Sequence, residues 1–405
     1  MRIGSALTRK GWALLGMAAA AATAGYLVGL VELYPFSAAA LILVLSARAW
    51  VGTKSWDVRA SRSIRPSRVP AGGEARVFIS VRNYDSRRSP LITVRDSFSD
   101  GRIAATFAVA PLESGEPRSA QYRLPARRRG MLEFRPLEIE LCDPFGLAKV
   151  VRVAAPAASL TVHPRVDLLP RSSIPSDSER DQRAAAPLLG RGGDEFYALR
   201  EYQIGDDLRQ VHWISTARTD ELMIRQPQNL WLGRTTVVVD ARQSVHDRQS
   251  FEETLSAAAS LAVSGLRGGM QVRVVVAGGQ EARGGRGPGY EGTVLDTLAI
   301  ASPTSGGSLA AEIRAAWTRG PVVVVTTDAA PAADLSAAAR SAGGSESLIV
   351  VIERRGGGLT NAGDVFTSVQ SASGRHSRVV RVPAGGSLVD ALTGREAKTV
   401  VSGSC

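Results

Sequence analysis

Apolar residues follow three rhythms along this chain, and each predicts a different kind of element. The first is continuous. "WALLGMAAAAATAGYLVGLVELY", Trp12 to Tyr34, carries one charge, Glu32, near its end. It is long enough to cross a hydrocarbon core of roughly 30 Å as a helix. "PFSAAALILVLSARAWVG", Pro35 to Gly52, follows at once. Its charge-free part is short, so Arg48 is expected to snorkel to the interface. Glu32, Tyr34 and Pro35 mark the expected turn of a hairpin of two transmembrane helices over residues 1–55.

The second rhythm alternates. In "ARVFISVRN", Val77, Ile79 and Val81 share one face. "LITVRDSF", "IAATFAVA", "AQYRLPA", "LEFRPLEIEL" and "LAKVVRVA" repeat the pattern, with Gly and Pro between them. Short strands at this spacing predict an all-β, sandwich-like domain over residues 56–170. "PARRRG" reads as a solvated strand edge, with lipid headgroup contact as the rival. In "CDPFG", Asp143 is expected to bond the backbone, Phe145 to fold back on the core and Gly146 to take positive φ. Cys142 reads as a buried thiol. Residues 171–193 are polar without periodicity and read as a linker.

The third rhythm alternates buried strands with helices over residues 234–405. "TTVVVD", "QVRVVVAGG", "PVVVVTTDA", "SLIVVIE" and "SRVVRV" are strands. "SFEETLSAAASLAVSGL" carries Phe251, Leu255, Ala258, Ala262 and Leu266 on one stripe, and "GTVLDTLAIA", "SLAAEIRAAWTRG" and "ADLSAAARSAG" are further helices. This order predicts a doubly wound α/β sheet. "GGQEARGGRGPGYEG" reads as a flexible surface loop.

Composition changes little until charge is placed. The 405 residues are 44% hydrophobic and 21% charged, with a net charge of +11. That charge suits an anionic membrane surface or a nucleic acid. Arg2, Arg9 and Lys10 precede the apolar pair, and Arg48, Lys54, Arg59, Arg62 and Arg65 follow it. The positive-inside rule then places both ends in the cytoplasm, as a multi-pass cell-membrane protein with a cytoplasmic body. Membrane topology explains much of the charge, so no nucleic acid is expected as partner. A cleaved signal peptide is the alternative. Two cysteines, Cys142 and Cys405, indicate no disulfide framework.

Candidate chemistry lies at two places. Ligands of such sheets bind at the carboxyl ends of the strands, where Asp240 and Asp328 fall. "DARQS" resembles the Asp-x-Ser-x-Ser metal loop of von Willebrand factor type A domains, with Asp240, Ser244, Thr304 (or Ser305 beside it) and Asp328 as candidate oxygen ligands for Mg²⁺. Arg242 stands at the first serine position, where its guanidinium opposes a dication and can neutralise the acids. A degenerate site held by an Arg–Asp pair is therefore the other reading, and an Arg242 pointing into solvent is a third. No phosphate loop, nucleophile elbow or zinc spacing is present.

The other place is "EFYALREYQIGDDLRQVHWISTARTDELMIRQ", inside a segment spanning 194–233. Its ends read as strands, and "IGDDLRQVHW" as a helix start. Arg200, Arg209 and Arg218 can pair with Glu201, Asp206 and Asp207 in a network that fixes orientation. His212 beside Trp213 reads as a packing residue, with proton transfer as the rival. A hydrolase using His212 with Asp206 or Asp207 is the corresponding enzyme alternative.

This stretch closely resembles the signature of the domain of unknown function 58 (DUF58) family. The resemblance extends to two N-terminal membrane helices, a β-rich domain ending in "DPFGL", and a von Willebrand A-like domain. Carried over, the characteristic positions are Arg200, Tyr202, Gly205, Asp206, Arg209, Trp213, Ala217 and Arg218. The resemblance implies a non-enzymatic role, with a MoxR-type AAA+ ATPase or its protein clients as partner.

Overall fold

The computed structural model describes residues 2–53, 56–99, 101–170, 173–175, 197–201, 211, 213–219, 221–227, 233–316, 321–341, 347–354 and 377–393. Two compact units divide the chain between His163 and Pro164.

In the first unit, strand β1 (Arg2–Leu7) precedes helices α1 (Arg9–Val28) and α2 (Leu33–Thr53). Thr8 caps α1, its hydroxyl accepting from the Gly11 amide. Gly29 ends α1 in the left-handed conformation, φ 76°, with its amide bonded to the Gly25 carbonyl. The turn therefore falls at 29–32, earlier than the sequence suggests. Tyr34 and Pro35 lie in the first turn of α2, where a missing amide costs nothing. Gly11, Ala18 and Gly25 are the buried positions of α1, and Ser37 bonds back to the Ala18 carbonyl at 2.7 Å. Tyr26, Leu27, Phe36, Ile42 and Leu45 are exposed on the pair. Both helices are long and apolar enough to cross a membrane.

The β-rich part of this unit holds an eight-stranded and a three-stranded sheet. The larger has the order β1, β10 (Ala148–Ala155), β9 (Leu137–Cys142), β5 (Ile92–Phe98), β8 (Gly130–Phe134), β11 (Ala158–His163), β3 (Arg68–Pro70), with β6 (Ile103–Val109) also on β5. The smaller is β2 (Val58–Arg65), β4 (Glu74–Asn83) and β7 (Pro117–Pro125). Val77, Ile79 and Val81 on β4 are buried as their alternation predicts, in one cluster with Val94, Phe134, Ile139 and Leu160 of the larger sheet. β1 was not legible, and it ties the start of the chain to β10 in antiparallel register.

Three side chains differ from expectation. Cys142 is exposed, because it ends β9 on the outward phase of the alternation. Phe145 is 64% exposed rather than folded on the core. Arg62, placed by sequence among the membrane-flanking charges, is buried between the sheets against Asp96.

The second unit is built on a six-stranded sheet in the order β16 (Gln280–Arg286), β15 (Gln271–Val276), β14 (Arg234–Val239), β17 (Val322–Thr327), β18 (Ser347–Ile352), β19 (Ser377–Val382). All pairs are parallel except β15–β16. β16 occupies the stretch expected to be a loop, and Gly285 is required there because a Cβ would meet the Tyr290 ring at 2.3 Å. Val237 and Val239 pack one face against helices α4 (Arg248–Arg267), α5 (Glu291–Ile300) and α8 (Leu388–Thr393). Val238 and Val324 pack the other face with α6 (Leu309–Ala316) and α7 (Ala332–Ser341). The predicted α4 stripe, Phe251 to Leu266, is buried throughout.

Residues 164–170, assigned by sequence to the β domain, belong to this second unit. The Asp167 and Leu169 amides donate to Ser260 and Ser264 on α4, and Leu169 and Ile174 join its core. A separate two-stranded sheet pairs β12 (Tyr197–Glu201) with β13 (Met223–Pro227), and helix α3 (Trp213–Thr219) lies between them in sequence.

Candidate functional site

Strand order in the second unit reverses at β14, whose neighbours are β15 and β17. That is the switch point at which open α/β sheets bind ligands, outside the carboxyl ends of the strands. Asp240 follows β14 directly and is fully buried. Its Oδ1 accepts from Arg242 Nε at 3.0 Å and from the Arg242 amide at 3.2 Å. Its Oδ2 accepts from Arg242 Nη2 at 2.8 Å and from the Thr326 hydroxyl, at the end of β17, at 2.9 Å. Arg242 also donates through Nη1 to Asp334 in the first turn of α7. One guanidinium thus joins two carboxylates from opposite sides of the switch point in a planar fork.

Electrostatics follow from this contact. Burial alone pushes the Asp240 carboxyl up, but the Arg242 bonds and charge, with Thr326, outweigh it and hold the pKa below the ordinary aspartate value. The bond to Asp240 raises the Arg242 pKa, keeping it charged. His246 is drawn in as well. Its Nε2 lies 2.7 Å from the Asp240 carbonyl, which can only accept, so Nε2 carries the proton. Among the described residues, His246 Nδ1 is buried without a hydrogen-bond partner, and burial lowers the imidazole pKa.

Each of the four candidate metal ligands is engaged by another group or faces solvent, beginning with Asp240 on Arg242. The Thr304 amide and hydroxyl bond the Ala241 carbonyl at 2.7 and 3.3 Å. Thr304 seals the loop as a bridge partner of Arg242 and packs where a Cβ on Gly278 would come within 2.3 Å of its Cγ2. Ser244 is exposed in the following turn. Asp328 is held elsewhere, accepting from Arg354 Nε at 2.9 Å. A dication would have to enter among groups already joined to a fixed positive charge, so the donor set does not fit Mg²⁺. Among the described residues, no group of three or more His, Cys, Asp or Glu is placed to hold a metal ion.

Sequence reasoning missed Asp334, Thr326 and His246. Asp334 carried one signal, an acid in the first turn of the helix after β17. Thr326 and His246 carried only proximity to "TTD" and "DARQSVHD".

Part of the family signature is also placed. Arg200 lies on β12 opposite Ile224 of β13. Trp213 opens α3 and is 67% exposed, and Ala217 and Arg218 are exposed on the same helix. The Thr216 hydroxyl accepts from the Met223 amide, tying α3 to β13. Tyr202, Gly205, Asp206, Asp207, Arg209 and His212 lie outside the described residues, and so do the expected pairing network and the hydrolase alternative that rest on them.

No curated protein matches the chain. Solved structures that overlay on it include a CARDB domain from Pyrococcus furiosus, at 14% identity over 26% of this chain and 88% of that one, TM-score 0.20. A β-glucosidase from Erythrobacter marinus overlays at 16% identity over 26% of this chain and 15% of that one, TM-score 0.19. Overlays this loose support no argument about fold or activity. Residues 198–381, a little under half of the chain, match the family described as "Protein of unknown function DUF58", and the match spans the signature and most of the second sheet.

Proposed function

We propose that the protein is a non-enzymatic adaptor anchored in the cell membrane by α1 and α2. β1 pairs with β10 and α2 runs on toward β2, so both ends of the helix pair join the same β-rich body. A hairpin crossing with its body on one face fits that connection, and the basic residues next to the helix ends, Arg9, Lys10 and Arg48, favour the cytoplasmic face. The second unit is von Willebrand A-like in this reading and offers the carboxyl ends of its strands to a protein. The resemblance to DUF58 proteins suggests a MoxR-type AAA+ ATPase or its client.

One observation carries the reading. The acid at the switch point is held by both arms of Arg242. A carboxylate so held is poorly placed to take up a proton near neutral pH or to ligate a dication, so this end of the sheet serves recognition better than chemistry.

A photocrosslinker at exposed Gln243, next to Arg242 in sequence, and another at Phe78 on the β-rich part would be introduced into the full chain in its native membrane. The expected result is enrichment of an AAA+ ATPase, or a protein that co-purifies with one, at Gln243 over Phe78. Equal yields at both positions overturn the proposal.

A further inference from the structure

Between β9 and β10 the chain turns through Asp143-Pro144-Phe145-Gly146, and this turn abuts the start of the first apolar helix. The Thr8 hydroxyl donates to the Gly146 carbonyl at 2.6 Å, and the Thr8 amide donates to the Leu147 carbonyl at 2.9 Å. The fit is close, since a Cβ on Gly11 would come within 2.2 Å of the Leu147 oxygen. The turn therefore sits level with the N-cap of α1.

The turn holds itself without the Phe145 ring. Asp143 accepts from the Phe145 amide at 2.9 Å and the Ala148 amide at 2.6 Å, and Gly146 supplies φ 69°. Leu147, next in sequence, fills the core. Phe145 is left with most of its ring exposed, and Pro144 beside it is exposed too. Arg9 and Lys10, exposed in the first turn of α1, and Trp12, 63% exposed, lie at the same end of that helix. Aromatic rings flanked by basic residues at the end of an apolar helix match the headgroup level of a bilayer with anionic lipid.

We infer that the Asp143–Gly146 turn is a third membrane contact, with Phe145 inserted among the headgroups of the leaflet entered by α1. The inference rests on the anchored reading of α1 and α2. With two helices alone the body could swing about their ends, and a third contact on the β9–β10 turn fixes its tilt on the membrane.

The test uses the full chain in vesicles of phosphatidylcholine and phosphatidylglycerol, with Cys142→Ser and Cys405→Ser as background. An environment-sensitive fluorophore is attached to Phe145→Cys, with Pro144→Cys as a second site in the same turn. Leu45→Cys, exposed on α2, and Ile103→Cys, exposed on β6, are the references. Lipids with a nitroxide high on the acyl chain should quench the turn sites several-fold more than Ile103→Cys, with blue-shifted emission. Quenching at Leu45→Cys but not at either turn site overturns the inference and leaves the anchor standing. Absence of quenching at Leu45→Cys as well overturns the anchor and the inference together.

Discussion

Arg242 grips Asp240 with two parallel bonds, Nε to Oδ1 and Nη2 to Oδ2, two residues apart in sequence and at the switch point of the sheet. Asp240 is fully buried and the Arg242 side chain is 10% exposed. Removing one partner leaves an uncompensated buried charge, a loss of about 3–5 kcal/mol. Arg242→Ala is therefore expected to destabilise the second unit by about that amount, seen as faster hydrogen exchange in β14 and β17. Adding Asp240→Asn should recover part of the loss, because the orphaned charge is gone. A single variant with wild-type exchange would show that the pair does not hold the loop.

The same cation predicts indifference to metal. With Arg242 in place, millimolar Mg²⁺ or a chelator is expected to leave the melting temperature unchanged. Arg242→Ser frees Asp240 and Asp334 toward a small cation, and that variant alone should be stabilised by Mg²⁺. A wild-type melting temperature that rises with Mg²⁺ would contradict the Arg-closed site.

His246 is expected to make the second unit acid-sensitive. Burial holds its folded pKa below the ordinary value of 6.5. The unfolded chain takes up the proton first as pH falls, so the contribution of neutral His246 is complete above about pH 6.5 and is lost as pH drops through the lower folded value. Urea midpoints measured from about pH 8 to about pH 5 should fall more steeply for wild type than for His246→Gln. Parallel curves would count against the assignment. Asp240 has the same sign at lower pH, since its folded pKa is also depressed.

Helix α4 starts from a capping box. The Asp247 carboxylate accepts from the Gln249 and Ser250 amides, and the Ser250 hydroxyl accepts from the Asp247 amide. Asp247→Ala is expected to cost about 1 kcal/mol, and Asp247→Asn less, read from chemical denaturation of the full chain.

Much of this architecture was legible where burial imposes a period. The alternation in β4 and the apolar runs of β14, β17 and β18 gave those strands, and the α4 stripe gave its helix. β1 was not, because "RIGSAL" reads equally as the polar lead-in to an apolar helix. β2 was not, because "VRASRSIR" turns an arginine inward at Arg62. β16 was not, because the glycines of "GGQEARGGRG" signal a loop, yet an edge strand tolerates them when a ring such as Tyr290 covers one of them. At the candidate site, Asp240 and Arg242 were legible as neighbours. Asp334 was not, since it lies 92 residues away and meets Arg242 only through the fold.

Arg62 offers the sharpest test of the β-rich part. Its side chain and that of Asp96 are 2% and 0% exposed, and they join the smaller sheet to the larger. Arg62 also donates to the Arg135 and Pro156 carbonyls at 3.0 and 2.7 Å and lies 5.0 Å from the Phe134 ring centroid. The Tyr122 hydroxyl completes the cluster, donating to Asp96 at 2.8 Å. Burial, then the bond to Asp96, drives the Tyr122 pKa up, so it stays a donor at every working pH. Arg62→Met strands Asp96 and is expected to cost about 3–5 kcal/mol. Tyr122→Phe removes one hydrogen bond to a charged group, about 1.5–3 kcal/mol. Arg62→Met with Asp96→Leu should regain part of the single-variant loss, because the stranded charge is gone while the Tyr122 hydroxyl loses its acceptor. Denaturation of the full chain in detergent, with hydrogen exchange in β5 as the local readout, separates these outcomes. A double variant no better than Arg62→Met would mean that the orphaned Tyr122 hydroxyl and the Arg135 and Pro156 carbonyls, not the stranded charge, dominate the cost.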